Sequence, residues 1–376
     1  MIIETEKNHY ILKAKKCFYF LHPKLYSQIR NDKQENGYYQ KKLKMLQDNK
    51  HFDSNKFELE GMFSKEGLIR AISNTYCIDF EVTERCNLNC YYCAYGKFYN
   101  NIDKRNDQDI NINRAIAFFD YIVKYINSPQ STLVNNPIHI GYYGGEPLLN
   151  FKAVKELTEY AKGTELKNDN FFKFFMTTNG VLLNKYMDYL VENDFMLTIS
   201  LDGNREHNSF RTFHNEKESF DIVFRNIKKL MSHYPEYFKS RVLFNGVLHG
   251  KNNIEDVTKF FRKEFSIMPR LSIVSETGFN NDYMNIYDSE FNKRDTQVPI
   301  EGKCYQVLKN YGNIIKENYY ELFFNPDYNT FLPTGTCYPF SRRCYMTANG
   351  KILPCEKVGH EYVRSEEHTS ELQSPT

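Results

Sequence analysis

The sequence contains no tryptophan, and it has no apolar run long enough to cross a membrane. Its first residues, MIIETEKNHY, are polar and lack the apolar segment of a secretory signal peptide. The formal net charge of +2 is close to neutral, so no strong electrostatic attraction to nucleic acid or to a membrane is indicated. We therefore predict a cytoplasmic protein without a nucleic-acid or membrane partner. The 376 residues suffice for one large domain with appendages.

Cysteine is present nine times, and without an export signal this favours metal-binding thiolates over disulfides. Three of these cysteines, Cys86, Cys90 and Cys93, share one short loop in FEVTERCNLNCYYCAY, after a predicted buried strand. Three such thiolates can hold three irons of a four-iron, four-sulfur cluster and leave the fourth iron without a protein ligand. Zinc sites usually add a fourth ligand nearby, and the next histidine, His139, is far away. A zinc knuckle and a plain electron-transfer cluster are the alternatives.

The loop CNLNCYYC, with Tyr92 directly before the last cysteine, resembles the cluster loop of radical S-adenosylmethionine (SAM) enzymes. The resemblance covers about residues 76–363. It implies that the open iron of a 4Fe-4S cluster binds the amino and carboxylate groups of SAM. One electron from the cluster would then release a 5′-deoxyadenosyl radical. An electron donor such as a flavodoxin or ferredoxin is implied as a partner.

Predicted strands and helices alternate from residue 78 onward, which indicates βαβ units and a parallel sheet. We predict an α/β fold, namely the open six-stranded (β/α)6 partial TIM barrel that the resemblance implies. A small N-terminal α+β extension and a partial cysteine-rich C-terminal module are expected in addition. Ligands of such folds bind at the carboxyl ends of the strands. The six predicted strands are 78–82, 138–143, 171–177, 196–201, 241–248 and 271–275, and the helices between them are 112–126, 151–161, 184–192, 220–233 and 254–265.

A second motif, Gly144-Gly145-Glu146-Pro147, follows the second predicted strand. Two glycines permit unusual dihedral angles and the close approach of a ligand, while Glu146 can add charge or pin the loop. A Gly-Gly pair by itself is usually only a turn. In this position it resembles the family motif that receives the amino group of SAM.

Small polar residues close the third and fourth predicted strands, and such groups suit ribose hydroxyls. The resemblance further implies a SAM contact for Ser200 and a SAM-carboxylate contact for Arg211, for which a surface arginine is the alternative. Val274 is expected against the adenine. The predicted cofactor-binding residues are Tyr92, Gly144, Gly145, Glu146, Thr178, Asn179, Ser200, Asp202 and Arg211. No catalytic residue beyond the cluster is predicted. Glu276, after the sixth strand, is a weakly supported candidate for a base.

Three further cysteines, Cys337, Cys344 and Cys355, lie around a predicted hairpin with Asn349-Gly350 at its turn. We expect the hairpin to bring Cys344 and Cys355 together. The pattern resembles the start of a SPASM domain, a module that binds auxiliary iron–sulfur clusters in radical SAM enzymes acting on peptides. The three cysteines are therefore predicted to bind an auxiliary iron–sulfur cluster that is incomplete in this chain. A lone zinc site or unpaired thiols are the alternatives.

The predicted domains are an N-terminal extension at 1–75, the barrel at 76–278, a helical connector at 279–335 and a truncated SPASM-like region at 336–363. The extension either binds a leader peptide by strand addition or covers the first barrel strand. The last thirteen residues, RSEEHTSELQSPT at 364–376, have no structural pattern, and a back-translation of them looks like a sequencing adapter. We expect the natural chain to end prematurely near Val363; a real disordered terminus is the alternative.

The predicted function is that of a radical SAM peptide maturase, which abstracts hydrogen from a ribosomally made precursor peptide (RiPP). The runner-up is an anaerobic sulfatase-maturating enzyme that forms formylglycine. A non-catalytic iron–sulfur or zinc protein that binds a peptide is the alternative of another class. The expected cofactors are a 4Fe-4S cluster, SAM and the auxiliary cluster, and the expected partner is a precursor peptide or protein substrate.

Overall fold

The computed structural model describes residues 64–99, 104–274, 279–291 and 339–355, three short N-terminal strands, and positions 37–38, 41 and 44–45. The chain divides into two compact units. One comprises Met1–Ser64 with Ile300–Cys337, and the other comprises Lys65–Pro299 with Tyr338–Thr376. Within the residues that the structure describes, every helix is too short or too polar to span a bilayer.

The larger unit is built on an eight-stranded sheet in the order β11-β10-β4-β5-β6-β7-β8-β9. All neighbouring strands are parallel except β10 and β11, which form an antiparallel pair. Strands β4 to β9 lie side by side in chain order, which confirms the predicted parallel six-stranded core of an α/β fold. The strands are β4 Cys77–Thr83, β5 Pro137–Gly144, β6 Phe171–Thr178, β7 Met196–Ser200, β8 Val242–Leu248, β9 Arg270–Ile273, β10 Cys344–Met346 and β11 Ile352–Leu353.

Between residues 65 and 265, which the structure describes except for 100–103, seven α-helices precede, connect or follow these strands. Their apolar faces and the buried strand residues form one hydrophobic core. Helix α2 shows how the sequence dictates such an element: Asn111 caps its first turn by accepting from the Arg114 N–H, and apolar residues recur at helical spacing. The helices are α1 Lys65–Ser73, α2 Ile112–Ile126, α3 Phe151–Lys162, α4 Leu183–Glu192, α5 Phe220–His233, α6 Pro235–Arg241 and α7 Ile254–Phe265.

The first strand of the core, β4, is buried along its whole length. Ile78, Phe80 and Val82 belong to the hydrophobic core, whereas the residues that alternate with them are polar. A parallel strand that is covered on both faces positions its carboxyl end firmly. The loop with the three cysteines begins directly after that end.

The predicted hairpin around Asn349-Gly350 is confirmed, with Tyr345 opposite Leu353 and Gly350 at a φ of +91°. The hairpin also extends the sheet, because β10 pairs in parallel with β4. This pairing and helix α6 were not predicted. Neither has a local signature, since the pairing joins segments far apart in the chain and α6 follows α5 after only one residue.

The smaller unit contains an antiparallel three-stranded sheet in the order β1-β2-β3. Within residues 1–75 the sequence predicts a strand pair at 10–12 and 17–21, a helix at 23–30 and a strand at 57–63. The strand pair is confirmed as β2 His9–Leu12 and β3 Phe18–Leu21, with β1 Ile2–Glu4 added to it. The helix at 23–30 and the strand at 57–63 lie outside the described residues. Of the predicted connector, the structure describes three short helical turns, Asn281–Tyr283, Met284–Ile286 and Tyr287–Phe291.

Candidate active site at the carboxyl ends of the strands

The cysteine loop after β4 is held by backbone hydrogen bonds to the segment that follows β7. The N–H groups of Asn89 and Tyr91 donate to the carbonyls of Thr212 and Phe210 at 2.7 and 2.9 Å. The His214 ring donates from Nε2 to the Cys86 carbonyl at 2.9 Å. Loops are usually mobile, whereas hydrogen bonds to the segment after β7 hold this loop in place.

The three thiols of this loop are close enough to influence one another electrostatically, and none is in a disulfide. Burial raises the pKa of Cys86 to about 11 and that of Cys90 to about 12. The thiols are therefore protonated at neutral pH until a metal replaces the proton.

The donor set fits an iron–sulfur cluster. Cys86, Cys90 and Cys93 are three thiols on one short loop, and none is in a disulfide. Thiolates are the ligands of iron–sulfur clusters, and in a four-iron cluster each of the three would bind a different iron.

The two glycines after β5 bring this strand end against the start of the cysteine loop. Gly145 N–H donates to the Thr83 carbonyl at 3.0 Å, and Glu146 N–H donates to the Arg85 carbonyl at 2.8 Å. A Cβ atom at Gly145 would lie 2.2 Å from the Arg85 carbonyl oxygen, and Gly144 has a φ of +143°. Glycine is therefore required here for backbone to approach backbone. The sequence motif indicated only the approach of a ligand.

The Glu146 side chain pins the ends of β5 and β6 together. Its Oε1 accepts from the Thr178 hydroxyl at 2.7 Å and from the Leu148 N–H at 3.1 Å, and its Oε2 accepts from the Asn179 N–H at 2.7 Å. The side chain is 1% exposed, and burial raises its pKa to about 7 despite these donors. Of the two roles considered for Glu146, the geometry supports pinning. Thr178 correspondingly directs its hydroxyl to Glu146, where a ribose contact was expected.

Asn179 continues this network back to the cysteine loop. Its Nδ2 donates to the Asn87 Oδ1 at 2.8 Å and lies 3.8 Å from the Cys86 sulfur. The motif after β5, the end of β6 and the cysteine loop are thus one connected structure. Asn87 was missed by sequence reasoning, because nothing in a single asparagine between cysteines indicates which strand end it faces.

Asp202, two residues after the end of β7, has a fully buried carboxylate that accepts hydrogen bonds from three residues. Arg211 binds it through Nε and Nη2, both at 3.0 Å, and the Val247 N–H donates to it at 2.8 Å. The Tyr92 hydroxyl donates to the same carboxylate, and burial raises the pKa of Tyr92, which keeps this donor protonated. His249 stacks on the Tyr92 ring at a centroid distance of 6.2 Å.

Arg211 is therefore a buried residue, which excludes the alternative of a surface arginine. Its two-pronged Nε and Nη2 edge is directed at Asp202, whereas the resemblance implied a SAM carboxylate as its partner. The sequence could not show this pairing, since residues 202 and 211 lie in an irregular segment. Direct SAM contacts of Arg211 and Asp202 stay a prediction.

The contacts of Ser200 and Val274 with SAM stay predictions. Ser200 ends β7 and is partly buried, and its hydroxyl makes no hydrogen bond within the part of the chain that the structure describes. Val274 and Tyr92 belong to one cluster of buried apolar residues, which we call the aromatic cluster. It consists of Tyr92, Phe98, Val274, Phe279, Tyr287 and Phe291. Glu276 lies outside the described residues.

Cys344 differs from its prediction as a cluster ligand. It is fully buried in β10, belongs to the hydrophobic core, and directs its sulfur towards the Thr75 hydroxyl at 4.0 Å. The pairing of Tyr345 with Leu353 places Cys344 opposite Pro354, so Cys355 does not share its position across the hairpin. The hairpin turn was predicted correctly. It does not determine the face on which each cysteine side chain lies, because side chains alternate between the two faces of a strand. Cys337 lies outside the described residues, and its role and that of Cys355 stay predictions.

Comparison with known proteins agrees with this architecture. The family model of the radical SAM superfamily matches residues 80–263. An uncharacterized protein of Methanocaldococcus jannaschii is 33% identical over 144 residues, which cover 37% of this chain and 43% of that protein. A cysteine-type anaerobic sulfatase-maturating enzyme of Clostridium novyi is 30% identical over 186 residues, 48% of this chain and 46% of the enzyme.

The radical SAM cyclopropyl synthase TigE of Paramaledivibacter caminithermalis is 24% identical over 227 residues, 58% of this chain and 44% of the synthase. The chain thus spans less than half the length of each of these curated relatives. The matched region contains the cysteine loop, the glycine motif and the polar strand ends β6 and β7. Residues 80–263 therefore form a radical SAM domain.

Proposed function

We propose that this protein is a radical SAM enzyme that abstracts a hydrogen atom from a peptide or protein substrate. The observation that carries the proposal is the loop of Cys86, Cys90 and Cys93, tied by hydrogen bonds to the glycine motif after β5 and to the end of β6. A site for electron transfer alone needs four cluster ligands and no such connected surface of strand ends.

When bound, the 4Fe-4S cluster and SAM supply the 5′-deoxyadenosyl radical that takes hydrogen from the substrate. Cys86, Cys90 and Cys93 would hold three irons of the cluster. The backbone at Gly144-Gly145 and the hydroxyl of Ser200, which has no hydrogen-bond partner among the described residues, would bind the polar groups of SAM.

The residues of this chain also fix the site before any ligand arrives. Glu146 joins the ends of β5 and β6, and Asp202 joins Arg211, Tyr92 and β8. Such preorganisation reduces the cost of binding and orientation. The aromatic cluster, to which Tyr92 belongs, is buried, and a buried apolar surface suits a site that must protect a reactive intermediate from side reactions.

A peptide or protein substrate is supported by one relative, a sulfatase-maturating enzyme, which by its name acts on a protein. We favour a ribosomally made precursor peptide, because the small N-terminal sheet could bind a leader segment by strand addition. A flavodoxin or ferredoxin would supply the electron. Cys337 and Cys355 are proposed ligands of an auxiliary cluster.

The experiment is anaerobic reconstitution with iron and sulfide, followed by measurement of 5′-deoxyadenosine formed from SAM under dithionite. We expect product from the parent protein and none from the triple variant Cys86→Ala, Cys90→Ala, Cys93→Ala. Cys77→Ala is the matched control, because Cys77 is buried in β4 outside the loop and should leave product formation unchanged. Equal product from the triple variant and the parent would refute the proposal.

A second candidate function, maturation of a sulfatase, is favoured by the match to the Clostridium novyi enzyme. A cysteine-containing peptide with a sulfatase active-site sequence tests it, because oxidation of its thiol to formylglycine introduces an aldehyde. Formation of the aldehyde by the reconstituted parent protein would favour this function. Production of 5′-deoxyadenosine without aldehyde would favour another peptide substrate.

A further inference from the structure

Asn179 stands at the point where the end of β6 meets the cysteine loop. The residue is 8% exposed, and its backbone N–H donates to Glu146. Its Oδ1 accepts from the Val181 N–H at 3.0 Å. Because the amide oxygen has this donor, the amide nitrogen must point the other way.

The amide nitrogen faces two groups of the cysteine loop. It donates to Asn87 Oδ1 at 2.8 Å and lies within hydrogen-bonding range of the Cys86 sulfur at 3.8 Å. Cys86 also receives the Leu88 N–H at 3.4 Å. Within the described part of the chain, this is the one side-chain N–H directed at a sulfur of Cys86, Cys90 or Cys93.

We propose that Asn179 is a positioning residue that holds the Cys86 thiolate and raises the reduction potential of the cluster bound to it. The inference rests on the proposed function, since it requires that the loop hold a 4Fe-4S cluster. One-electron reduction by dithionite adds one negative charge to the cluster and its thiolates, with no proton transferred. An N–H dipole directed at Cys86 is attracted to this charge and therefore stabilises the reduced state.

Two substitutions separate the hydrogen bond from the fold. Asn179→Asp keeps the shape and the oxygen that accepts from Val181, removes the N–H donor and adds a negative charge. Asn179→Ala removes the donor without adding charge but also removes the cap on Val181. Asn87→Ala is the matched control, because it removes the other partner of the Asn179 amide and leaves the N–H directed at Cys86.

The midpoint potential of the cluster is measured in an anaerobic dithionite titration that is monitored by electron paramagnetic resonance. All samples have equal iron content per chain. We expect the order parent, Asn179→Ala, Asn179→Asp from the highest potential to the lowest. For Asn179→Ala we expect the equilibrium constant for reduction of the cluster to fall by up to about tenfold. This lowers the midpoint potential by up to about 59 mV for one electron. Asn87→Ala should have the potential of the parent.

The outcomes distinguish this inference from the proposed function. If the parent protein binds no four-iron cluster, the proposed function fails before any variant is compared. If the parent holds the cluster and Asn179→Asp and Asn179→Ala both keep its potential, the role of Asn179 is refuted. A drop in Asn87→Ala as large as that in Asn179→Ala would also refute it, because the position of the loop would then be responsible.

Discussion

Arg211 and Asp202 form a bidentate ion pair, Nε to Oδ2 and Nη2 to Oδ1, in which both contacts are 3.0 Å long. Their side chains are 9% and 0% exposed. A second pair, Arg241 with Asp194, has the same two-pronged arrangement at 2.6 and 2.9 Å, but its side chains are 36% and 61% exposed. The two pairs differ in burial more than in geometry, which makes them a natural comparison.

Asp202→Asn should destabilise the metal-free protein by about 3–5 kcal/mol, because the Arg211 charge would then be buried without a counter-ion. Asp194→Asn should change the free energy of unfolding by no more than about 1 kcal/mol, since water already solvates that pair. Urea unfolding of both variants measures the difference. Equal losses of stability in Asp202→Asn and Asp194→Asn would contradict the interpretation of Asp202 as the buried centre of the site.

Gly145→Ala should be destabilising by about 1–3 kcal/mol, because the added Cβ would overlap the Arg85 carbonyl and force the loops apart. The control is Gly163→Ala at the end of α3, where the nearest atom to an added Cβ is 3.6 Å away and φ is −82°. That change should be neutral or stabilising by up to about 1 kcal/mol. The free energy of unfolding and the iron content per chain are measured for both variants. Only Gly145→Ala should lower both quantities.

Glu146 should make stability depend on pH. Burial raises its pKa in the folded protein from 4.5 to about 7, so the folded state binds more protons than the unfolded state between these values. The stabilising contribution of the protonated form is therefore lost as the pH rises through this window. Glu146→Gln does not titrate.

From about pH 5 to about pH 8, the metal-free parent should lose on the order of 2 kcal/mol of stability relative to Glu146→Gln. Urea unfolding of both proteins at the two pH values measures this difference. Parallel changes in the two proteins would show that the Glu146 carboxyl titrates in the folded state as it does in water.

Cys344→Ala should leave the iron content of the reconstituted protein unchanged and lower the stability by about 1 kcal/mol, as expected for a small truncation in a core. Cys86→Ala should instead lower the iron content. The comparison is made by iron and sulfide analysis of proteins reconstituted in parallel. A loss of iron in Cys344→Ala would contradict its placement in the core and restore it as a ligand.

The sequence predicted the parallel strands well because their apolar patterns are local. Helices α2, α5 and α7 have the predicted bounds, strands β4 and β5 are one residue longer at both ends, and strands β6, β7 and β8 differ by one residue at one end. The partners of polar side chains at the strand ends were not predictable. Glu146 meets Thr178, and Arg211 meets Asp202, only because the sheet brings separate loops together.

The cysteines illustrate the same limit. The spacing of Cys86, Cys90 and Cys93 indicates a cluster because all three share one loop, and the matching family model supports that interpretation. For Cys344, the hairpin was predicted correctly, but the face to which the side chain points was not. That face is decided by the parallel pairing of β10 with β4, which no local pattern contains.

The pairing of β10 with β4 also has a consequence for biosynthesis. Strand β4 comes early in the chain, yet one of its two neighbours, β10, begins only at Cys344. Until that neighbour has left the ribosome, the backbone of β4 presents unpaired N–H and C=O groups along one side, which is a template for aggregation. That edge of β4 therefore stays without its β10 partner until residues 344–346 have been synthesised.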